Sequence, residues 1–472
     1  MDIQEKILRK LFVGVTMLSF FVPFVFAPRS LTFPFIVPKV VFFRILLTIL
    51  VGLYSLLLYK NYQKYKVTIT YVHGALLFMV VSYLFSTFAG VNPYFSFWEG
   101  HERMIGVFST LHYYIYFVLL AQFFTTYKEW KKLIYINLIV GVILTIIGGI
   151  QYFIDPNFFY NGGGKRVFAT FGNPIYYGGY STFILFLSLF AYYKDKSKIF
   201  LFTGLCGLVS LIFSGTRGAI LAILIAPVIS GGLVLLQHKE VTSKYRKKYL
   251  IFIAAGILIL GSLFIMRDNT FVRNFPGVGR LVKTNIVELT TSPRALAIKV
   301  GINAWKAKPY FGWGPNNYAS AFNAFYPPEI LSVGGWGETW FDNAHNYPVN
   351  VLATQGIVGF FAYIIGIILI IFFLFQKRKK HEITDVELFI FLFFYLVYLI
   401  SNVTVFDNPI SLIYYALFLA LIHVKNDKIK QKNDTKDLSI ASIIFISIII
   451  LLFNIVTNIN ILKGNNLNLL AI

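Results

Sequence analysis

Cysteine and acidic residues are scarce in this chain of 472 residues. It has one cysteine, Cys206, and 20 Asp and Glu residues, and charged residues of both signs make up 13% of the sequence. A soluble protein carries roughly 25% charged residues, so this composition excludes a soluble multidomain enzyme, a disordered chain and a coiled-coil fibre. A single cysteine excludes a disulfide framework and any metal or iron–sulfur site built on cysteines.

Hydrophobic residues fill most of the remainder, at 57% of the sequence. They form continuous runs rather than the alternating pattern of a membrane β-barrel. Only helices and closed barrels satisfy their backbone groups in lipid, so the runs predict an all-α polytopic membrane protein. With spans of about 20 residues, we expect about 12–13 transmembrane helices. The predicted spans are 11–27, 40–59, 70–89, 108–126, 133–153, 175–193, 199–213, 218–236, 249–266, 347–375, 388–404, 410–424 and 439–461.

Basic residues determine the expected orientation of these spans. The chain has 42 Lys and Arg and a formal net charge of +22, which in a soluble protein would suggest a nucleic-acid partner. Most of the basic residues in short loops lie on the side of the N-terminus, for example in 237–248 and 376–387. The positive-inside rule therefore predicts a cytoplasmic N-terminus. With an odd number of spans the C-terminus lies outside, and nucleic acid is not an expected partner.

Five regions follow from the span pattern. We expect N-terminal transmembrane helices over 1–266 that include a tight hairpin at 199–236, a long outer loop with short helices over 267–346, core transmembrane helices over 347–424, a cytoplasmic linker at 425–438, and an additional C-terminal helix at 439–461. Long ordered loops are usually functional, so residues 267–346 are where a site is expected.

The turn of the predicted hairpin reads Ser-Gly-Thr-Arg-Gly over residues 214–218. Arg217 therefore opens a helix whose N-terminus faces outward, and a helix N-terminus with an added cation favours an anion. An arginine that only snorkels to the membrane interface is the alternative interpretation.

The long loop contains a second candidate cation. Arg294 begins a helical pattern that runs to Lys306, and the aromatic, Gly- and Pro-rich stretch 309–318 follows. An arginine can bind a phosphate through two parallel hydrogen bonds. A solvated surface arginine is the alternative here.

The third candidate is His345, in the stretch Asp-Asn-Ala-His-Asn-Tyr over residues 342–347. An unperturbed histidine has a pKa suited to proton transfer near neutral pH. Gly356 follows eleven residues later, so in a continuous helix the two residues share a face, and Gly356 and Gly359 would permit close helix packing. A capping or structural histidine is the alternative. The spacing of Asp342 and His345 lacks the further ligands of a metal site, so none is expected.

These elements, in this order, resemble the O-antigen ligase/polymerase superfamily of membrane glycosyltransferases. The most specific element is His345-Asn346, nine residues, then Gly356-Ile357-Val358-Gly359. The resemblance extends over about residues 90–425 and includes Arg103 and Arg166.

The resemblance implies an inverting transfer of a glycan from undecaprenyl pyrophosphate to an acceptor hydroxyl. It implies a lipid A–core sugar as acceptor, the outer (periplasmic) face of the bacterial inner membrane as location, surrounding membrane lipids, and no metal or cofactor. Relatives instead extend the glycan or modify a protein hydroxyl, and both remain alternatives. A transporter or flippase is less well supported, because few ionisable residues fall within the spans. A structural scaffold is a further alternative.

The resemblance and the residue chemistry together suggest roles for the site. His345 is expected to act as general base, and Arg217, Arg294 and Arg166 are expected to bind the pyrophosphate. Asp342 or Glu338 would orient the imidazole, and Asn346 and Arg103 would orient it or bind the acceptor.

Overall fold

Every described element of secondary structure in the computed structural model is helical. The structure describes residues 3–28, 30–160, 166–237, 261–275, 277–282, 292–333, 338–424 and 452–466, with scattered residues between 247 and 258. The first α-helices are α1 (Ile3–Ser19), α2 (Val37–Lys60), α3 (Tyr62–Tyr65), α4 (Tyr71–Ala89), α5 (Pro93–Trp98), α6 (Val107–Phe123), α7 (Tyr127–Phe153), α8 (Pro174–Asp195), α9 (Ile199–Ser214) and α10 (Arg217–Gln237). They are followed by α11 (Thr270–Asn274), α12 (Val278–Val282), α13 (Pro293–Ala307), α14 (Tyr318–Ala324), α15 (Ile330–Val333), α16 (Tyr347–Lys379), α17 (Asp385–Asn402), α18 (Pro409–Leu421) and α19 over residues 452–466.

Seven described helices are long and apolar enough to cross a membrane, namely α2, α4, α7, α8, α10, α16 and α17. Three shorter apolar helices, α6, α9 and α18, accompany them. The chain is therefore a multi-pass membrane protein, and the predicted all-α class is confirmed. The total of 13 spans stays a prediction, because 439–461 and 249–266 lie partly, and the linker 425–438 wholly, outside the described residues.

The first predicted span, over 11–27, is wrong in its bounds. The helix begins at Ile3 and ends at Ser19, and it is not among the seven helices that qualify as spans. Glu5, Lys6, Arg9 and Lys10 occupy its first half, so its apolar part is too short to cross hydrocarbon alone. The chain then turns at the short 3-10 helix Val22–Phe24.

Several helices begin with a polar residue followed by proline. The side chains of Asn173, Ser292 and Asn408 accept a backbone N–H of the helix that follows, and Pro174, Pro293 and Pro409 occupy its first turn. The polar side chain satisfies a backbone donor that the helix leaves unpaired, and proline has no N–H to satisfy there. These pairs fix the residues at which α8, α13 and α18 begin, and therefore where the loops that precede them end.

Helix α8 lies at the centre of the bundle. It packs against α7, α9, α17 and α18, and 78% of the residues in its most apolar stretch are buried. Its contacts are largely aromatic: the ring of Phe186 stacks on that of Phe394 in α17 with centroids 4.6 Å apart, and it meets Phe418 of α18 edge-on at 5.5 Å. Stacked and edge-to-face rings favour defined packing over a sliding apolar contact. The centre of the bundle therefore provides a fixed support for the loops at its ends.

The long loop contains short helices, as predicted. The helical pattern expected over Arg294–Lys306 corresponds to α13, and α11, α12, α14 and α15 are further short helices in this loop. The loop also has a small core of its own, in which Val300, Tyr318, Phe322, Ile330 and Phe341 are buried. It is therefore a folded part of the protein rather than an extended connection.

Helix α16 is interrupted at Gly356, where the backbone adopts φ 65° and ψ −166°. In an unbroken helix the N–H groups of Ile357 and Val358 would donate to the carbonyls of Ala353 and Thr354. Instead they donate to the carbonyls of Pro309 and Tyr310, at 2.8 and 3.2 Å.

The carbonyls freed by this break find partners in the same segment of the long loop. Ala353 and Thr354 accept the N–H groups of Trp313 and Gly314, at 3.0 and 2.8 Å. Residues 309–314 thus supply hydrogen-bond partners for the four backbone groups that the break would leave unpaired. A broken helix in a membrane protein needs such partners, because lipid offers none. We call this arrangement the loop–helix junction.

The junction corrects one expectation. The sequence predicts His345 and Gly356 on one face of a continuous helix, but the helix is broken at Gly356, so the helical period does not extend between them. Gly356 instead makes room for a loop: a Cβ there would overlap the carbonyl of Tyr310, and a Cβ at Gly312 would overlap the backbone of Thr354. A Cβ at Gly359 would overlap the side chain of Gln355.

The variant Gly356→Ala is expected to be less stable than the parent by about 2–3 kcal/mol or more, because alanine is strained at this φ and ψ and its Cβ has no room. The measurement is the thermal unfolding midpoint of the purified protein in detergent. Gly52→Ala is the matched control, since Gly52 lies within α2 and a Cβ there has open space around it. This control should be neutral or slightly more stable. Equal midpoints for the two variants would contradict the role of the junction.

Candidate active site

The turn between α9 and α10 is held by two arginines. Gly215 adopts φ 58°, which favours glycine, and closes the turn after Ser214. Arg166 donates from Nε to the carbonyl of Ser214 at 2.9 Å, and Arg280 donates from Nη1 to the carbonyl of Gly215 at 2.9 Å. Arg217 begins α10 immediately after this turn. Three segments far apart in sequence therefore bring their guanidinium groups to one place.

Arg166 and Arg280 lie within electrostatic reach of each other and of Arg217 and Arg294. Burial, together with the charges of Arg280, Arg294 and Arg217, lowers the pKa of Arg166 to about 10. Burial also lowers the pKa of Arg280, as do Arg217 and Arg294. We call these four residues the arginine cluster. Like charges held together repel one another, and an anion bound between them would relieve that repulsion.

Arg294 connects the arginine cluster to His345. It lies in the first turn of α13, whose start is capped by Ser292. Its Nη2 lies 3.6 Å from Oε1 of Glu338, an exposed ion pair that water screens. Its charge also lowers the pKa of His345. Arg294 therefore interacts electrostatically with both Arg166 and His345. The four predicted residues Arg166, Arg217, Arg294 and His345 thus lie in one region of the structure.

His345 lies between two aromatic rings just before α16. Its imidazole meets Phe341 and Phe406 edge-on, with centroids 5.1 Å from each. Nδ1 is buried and has no hydrogen-bond partner among the described residues. The residue itself adopts φ 51°, and its N–H donates to Oδ1 of Asn343 at 3.1 Å. The backbone conformation and the two rings together fix the direction of the imidazole.

The imidazole of His345 is neutral at physiological pH. Burial, together with the charges of Arg294 and Arg103, lowers the pKa of His345 to about 4, and the charge of Asp342 opposes this shift. An uncharged imidazole is the form that can accept a proton.

Asp342 is held by Arg103. Nε and Nη2 of Arg103 donate to the two carboxylate oxygens at 2.6 and 3.0 Å, and Nη1 donates to the hydroxyl of Tyr176 at 3.0 Å. The guanidinium also lies over the ring of Phe406, 4.7 Å from its centroid. Arg103 therefore joins the segment before His345 to α8 and to one of the rings that hold the imidazole.

A buried ion pair anchors the loop that carries Arg103. Arg44 of α2 pairs with Glu99, both side chains being almost fully buried. Glu99 also accepts the N–H of Gly106 at 2.5 Å and the hydroxyl of Ser109 at 2.9 Å. Breaking one partner of such a pair leaves an uncompensated buried charge, so the loop is held firmly at both ends.

The residues suggested as orienting groups are used elsewhere. Asp342 is hydrogen-bonded to Arg103 and Glu338 is paired with Arg294, and neither donates to or accepts from the imidazole in the described part of the chain. The rings of Phe341 and Phe406 hold the imidazole instead. Asn346 caps α16, since its Oδ1 accepts the N–H of Val349 at 3.0 Å.

Arg280 and Phe406 were not predicted from the sequence. Arg280 is one of several arginines in the long loop, and nothing in its spacing distinguishes it from Arg267 or Arg273. Phe406 lies between α17 and α18, and its proximity to His345 depends on how those helices pack. Only the fold identifies either residue.

No group of three His, Cys, Asp or Glu side chains that could hold a metal ion occurs within the described ranges. Asp342, the nearest carboxylate to His345 in sequence, already accepts both hydrogen bonds from Arg103. That the reaction needs no metal stays a prediction.

The chain is a helical membrane protein in which a loop at one end presents clustered cations beside a neutral histidine. Residues 202–364 match the model of the family described as O-antigen ligase. This match supports the O-antigen ligase superfamily that the sequence predicted. The family implies glycosyltransferase-type activity on lipid-linked glycans in a membrane. The matched segment includes Arg217, Arg280, Arg294 and His345, whereas Arg103 and Arg166 precede it. Comparison with curated proteins gives no match.

Proposed function

We propose that the protein transfers a glycan from undecaprenyl pyrophosphate to an acceptor hydroxyl, with a lipid A–core sugar as acceptor. The observation that supports this most directly is the arginine cluster beside a neutral His345. The proposed location is the outer, periplasmic face of the bacterial inner membrane, with a cytoplasmic N-terminus.

The arginine cluster would bind the pyrophosphate. Arg166 and Arg280 each donate one hydrogen bond to a carbonyl of the turn, at Ser214 and Gly215 respectively. These hydrogen bonds fix the positions of the two guanidinium groups beside the turn. Charge that is in place before the reaction stabilises the negative charge that develops as the leaving group departs. Pyrophosphate is already a good leaving group, so the proposed site needs to neutralise the negative charge on the departing pyrophosphate. It does not need a strong acid to protonate it.

His345 would take the acceptor proton. The acceptor oxygen forms a bond to the anomeric carbon, the bond from that carbon to the pyrophosphate oxygen breaks, and the hydroxyl proton passes to the imidazole. Because Nδ1 is buried, Nε2 is the nitrogen that a hydroxyl can reach. Attack opposite the leaving group inverts the configuration at the anomeric carbon.

Donor binding would also strengthen the base. Burial is the main cause of the lowered pKa of His345, and the charge of Arg294 adds to it. A bound pyrophosphate would offset the charge of Arg294 and so raise the pKa of the imidazole. A general base with a higher pKa is more effective at neutral pH, so donor binding would favour proton transfer.

The test is to incubate the purified protein with a lipid-linked glycan and one acceptor at a time, and to read products by mass. We expect glycan on lipid A–core and release of undecaprenyl pyrophosphate. Product on a growing glycan or on a protein Ser, Thr or Tyr would instead assign one of the two alternative reactions of the superfamily. Absence of transfer to every acceptor, from a protein that binds undecaprenyl pyrophosphate, would contradict a transferase.

A further inference from the structure

Helix α19, the last described helix, packs against the loop that carries Arg103. The ring of Phe453 lies 5.7 Å from that of Trp98, measured between centroids. About three turns further along α19, Nδ2 of Asn465 donates to Nδ1 of His101 at 3.3 Å. Residues near both ends of α19 therefore contact this loop.

The residue that follows Arg103 depends on α19 for part of its packing. Met104 adopts φ 50°, a left-handed conformation that costs free energy in a residue other than glycine. Its side chain is fully buried in an apolar cluster with residues of α2, and Ile461 and Leu462 of α19 pack against that cluster. Strained backbone persists only where its surroundings hold it, so α19 helps to keep Met104 in this conformation.

The loop has one side on α19 and the other side on a cavity of about 280 Å³ between α4, α6 and α16. Trp98, His101 and Met104 lie on the α19 side. The residues between them line the cavity, namely Gly100, Glu102, Arg103 and Ile105. In α6, likewise, His112 contacts α19 and the next residue, Tyr113, lines the cavity. The wall between α19 and Arg103 is therefore a single layer of chain.

Asparagines define how α19 docks. Asn454, Asn458 and Asn465 are buried, and their spacing of four and seven residues places them on one face of the helix. Nε2 of His112 and Oδ1 of Asn454 form a hydrogen bond at 2.6 Å, and the hydroxyl of Thr32 donates to the carbonyl of Asn465 at 3.1 Å. Polar side chains join membrane helices because lipid offers them no partner. These contacts therefore fix the position of α19 along the loop.

Arg103 transmits the position of the loop to the proposed base. Its guanidinium donates to both carboxylate oxygens of Asp342, three residues before His345. It also lies over the ring of Phe406, which packs against the imidazole. The buried pair of Arg44 and Glu99 holds the ends of the loop, whereas α19 contacts its middle. A shift of the middle would move Arg103 and both of its partners.

We propose that α19 is a positioning helix for the transfer reaction. By holding His101 and Met104 it keeps Arg103 on Asp342, and so keeps His345 aligned to take the acceptor proton. The inference rests on the proposed transferase function. Loss of the α19 contacts lowers kcat and leaves donor binding unchanged, because the arginine cluster is held by a different turn, that of Ser214 and Gly215.

Two pairs of alanine substitutions in the full-length protein test the proposal. Ile461→Ala with Leu462→Ala removes side chains that pack against the cluster around Met104. Val456→Ala with Ile459→Ala is the control, since these side chains are 59% and 46% exposed. We expect the first pair to lower kcat for glycan transfer about tenfold or more, because a misplacement of about 1 Å can cost 10²-fold. The control pair should not change kcat, and both variants should bind undecaprenyl pyrophosphate as the parent does.

A combination with Arg103→Gln separates positioning from general destabilisation. This substitution removes the paired hydrogen bonds to Asp342. If α19 acts through Arg103, the Ile461 and Leu462 substitutions lower kcat no further in this background, since residues that act through one another have non-additive effects. A loss by the same factor in both backgrounds would mean that α19 acts by another route, and it would overturn the proposal.

Backbone hydrogen exchange measures the loop independently of activity. Residues 99–106 should exchange faster in the Ile461 and Leu462 variant than in the parent, and at the parental rate in the control. Parental exchange or parental kcat in the first variant would show that the role of α19 is wrong, while glycan transfer by the parent would leave the transferase assignment intact. If the parent transfers no glycan to any acceptor, both proposals fall.

Discussion

Replacing His345 is expected to reduce turnover by about 10²–10⁴-fold, the usual contribution of a general base. His345→Asn is the preferred variant, because asparagine tolerates the left-handed backbone that His345 adopts at φ 51° and so adds little strain. The measurement is kcat for glycan transfer by the purified protein. Binding of undecaprenyl pyrophosphate and the unfolding midpoint should remain close to those of the parent, since the imidazole makes no hydrogen bond to the arginine cluster.

His381→Asn is the matched control. His381 is exposed, lies in the loop between α16 and α17, and also has a positive φ of 57°. It should retain full activity. Parent-like turnover in His345→Asn would remove this residue from the mechanism, whereas equal losses in both variants would indicate a general effect on folding.

The pH dependence provides a second measure of the same group. Because burial and the neighbouring arginines lower the pKa of His345 to about 4, the value of kcat/KM for donor should stay level from pH 7 to about 5 as far as this group is concerned. It should then fall tenfold per pH unit below about 4, where the free imidazole becomes protonated. The profile of kcat reports the complex with donor, so its acidic limb should lie at higher pH.

Replacing Arg280 is expected to cost about 10²–10³-fold in kcat/KM for donor, as for the loss of one preorganised donor at a developing charge. Arg280→Gln keeps a donor for the carbonyl of Gly215 but removes the charge. The measurements are transfer rate and affinity for undecaprenyl pyrophosphate. Arg217→Lys should also be impaired, because lysine keeps the charge but lacks the planar pair of donors that fits phosphate.

Arg267→Gln is the control for charge alone. Its side chain is 52% exposed, and it pairs with Asp268 rather than with the arginine cluster. It should bind donor as the parent does. If Arg280→Gln also did so, the cluster would not be the pyrophosphate site.

The parts of the fold that depend on local sequence were predictable. Continuous apolar runs indicated the helices, and the polar residue before proline at Asn173, Ser292 and Asn408 marks where helices begin. The family was likewise predictable, because its motif is a short string with fixed spacing. The candidate residues Arg217, Arg294 and His345 all come from such strings.

The features that could not be predicted from the sequence depend on contacts between residues that are far apart in the chain. The break at Gly356 is invisible to helical periodicity, since the partner segment that pairs with it lies about 45 residues earlier in the sequence. The pairing of Asp342 with Arg103 joins residues 239 positions apart, and it removes Asp342 from the role expected of it. Arg280 was missed for the same reason, because the arginine cluster is assembled only by folding.

The loop–helix junction also determines which changes of chain length the protein can accept. Four backbone hydrogen bonds pair residues 309–314 with 353–358 in fixed register. Inserting or deleting one residue inside either segment would misalign all of them, whereas a surface position such as Leu331, 62% exposed and between the two segments, lies outside that register. Extra residues there would lengthen the rim of the molecule without moving the segment that precedes α16. A variant lengthened at position 331 is therefore expected to keep His345 in the same place.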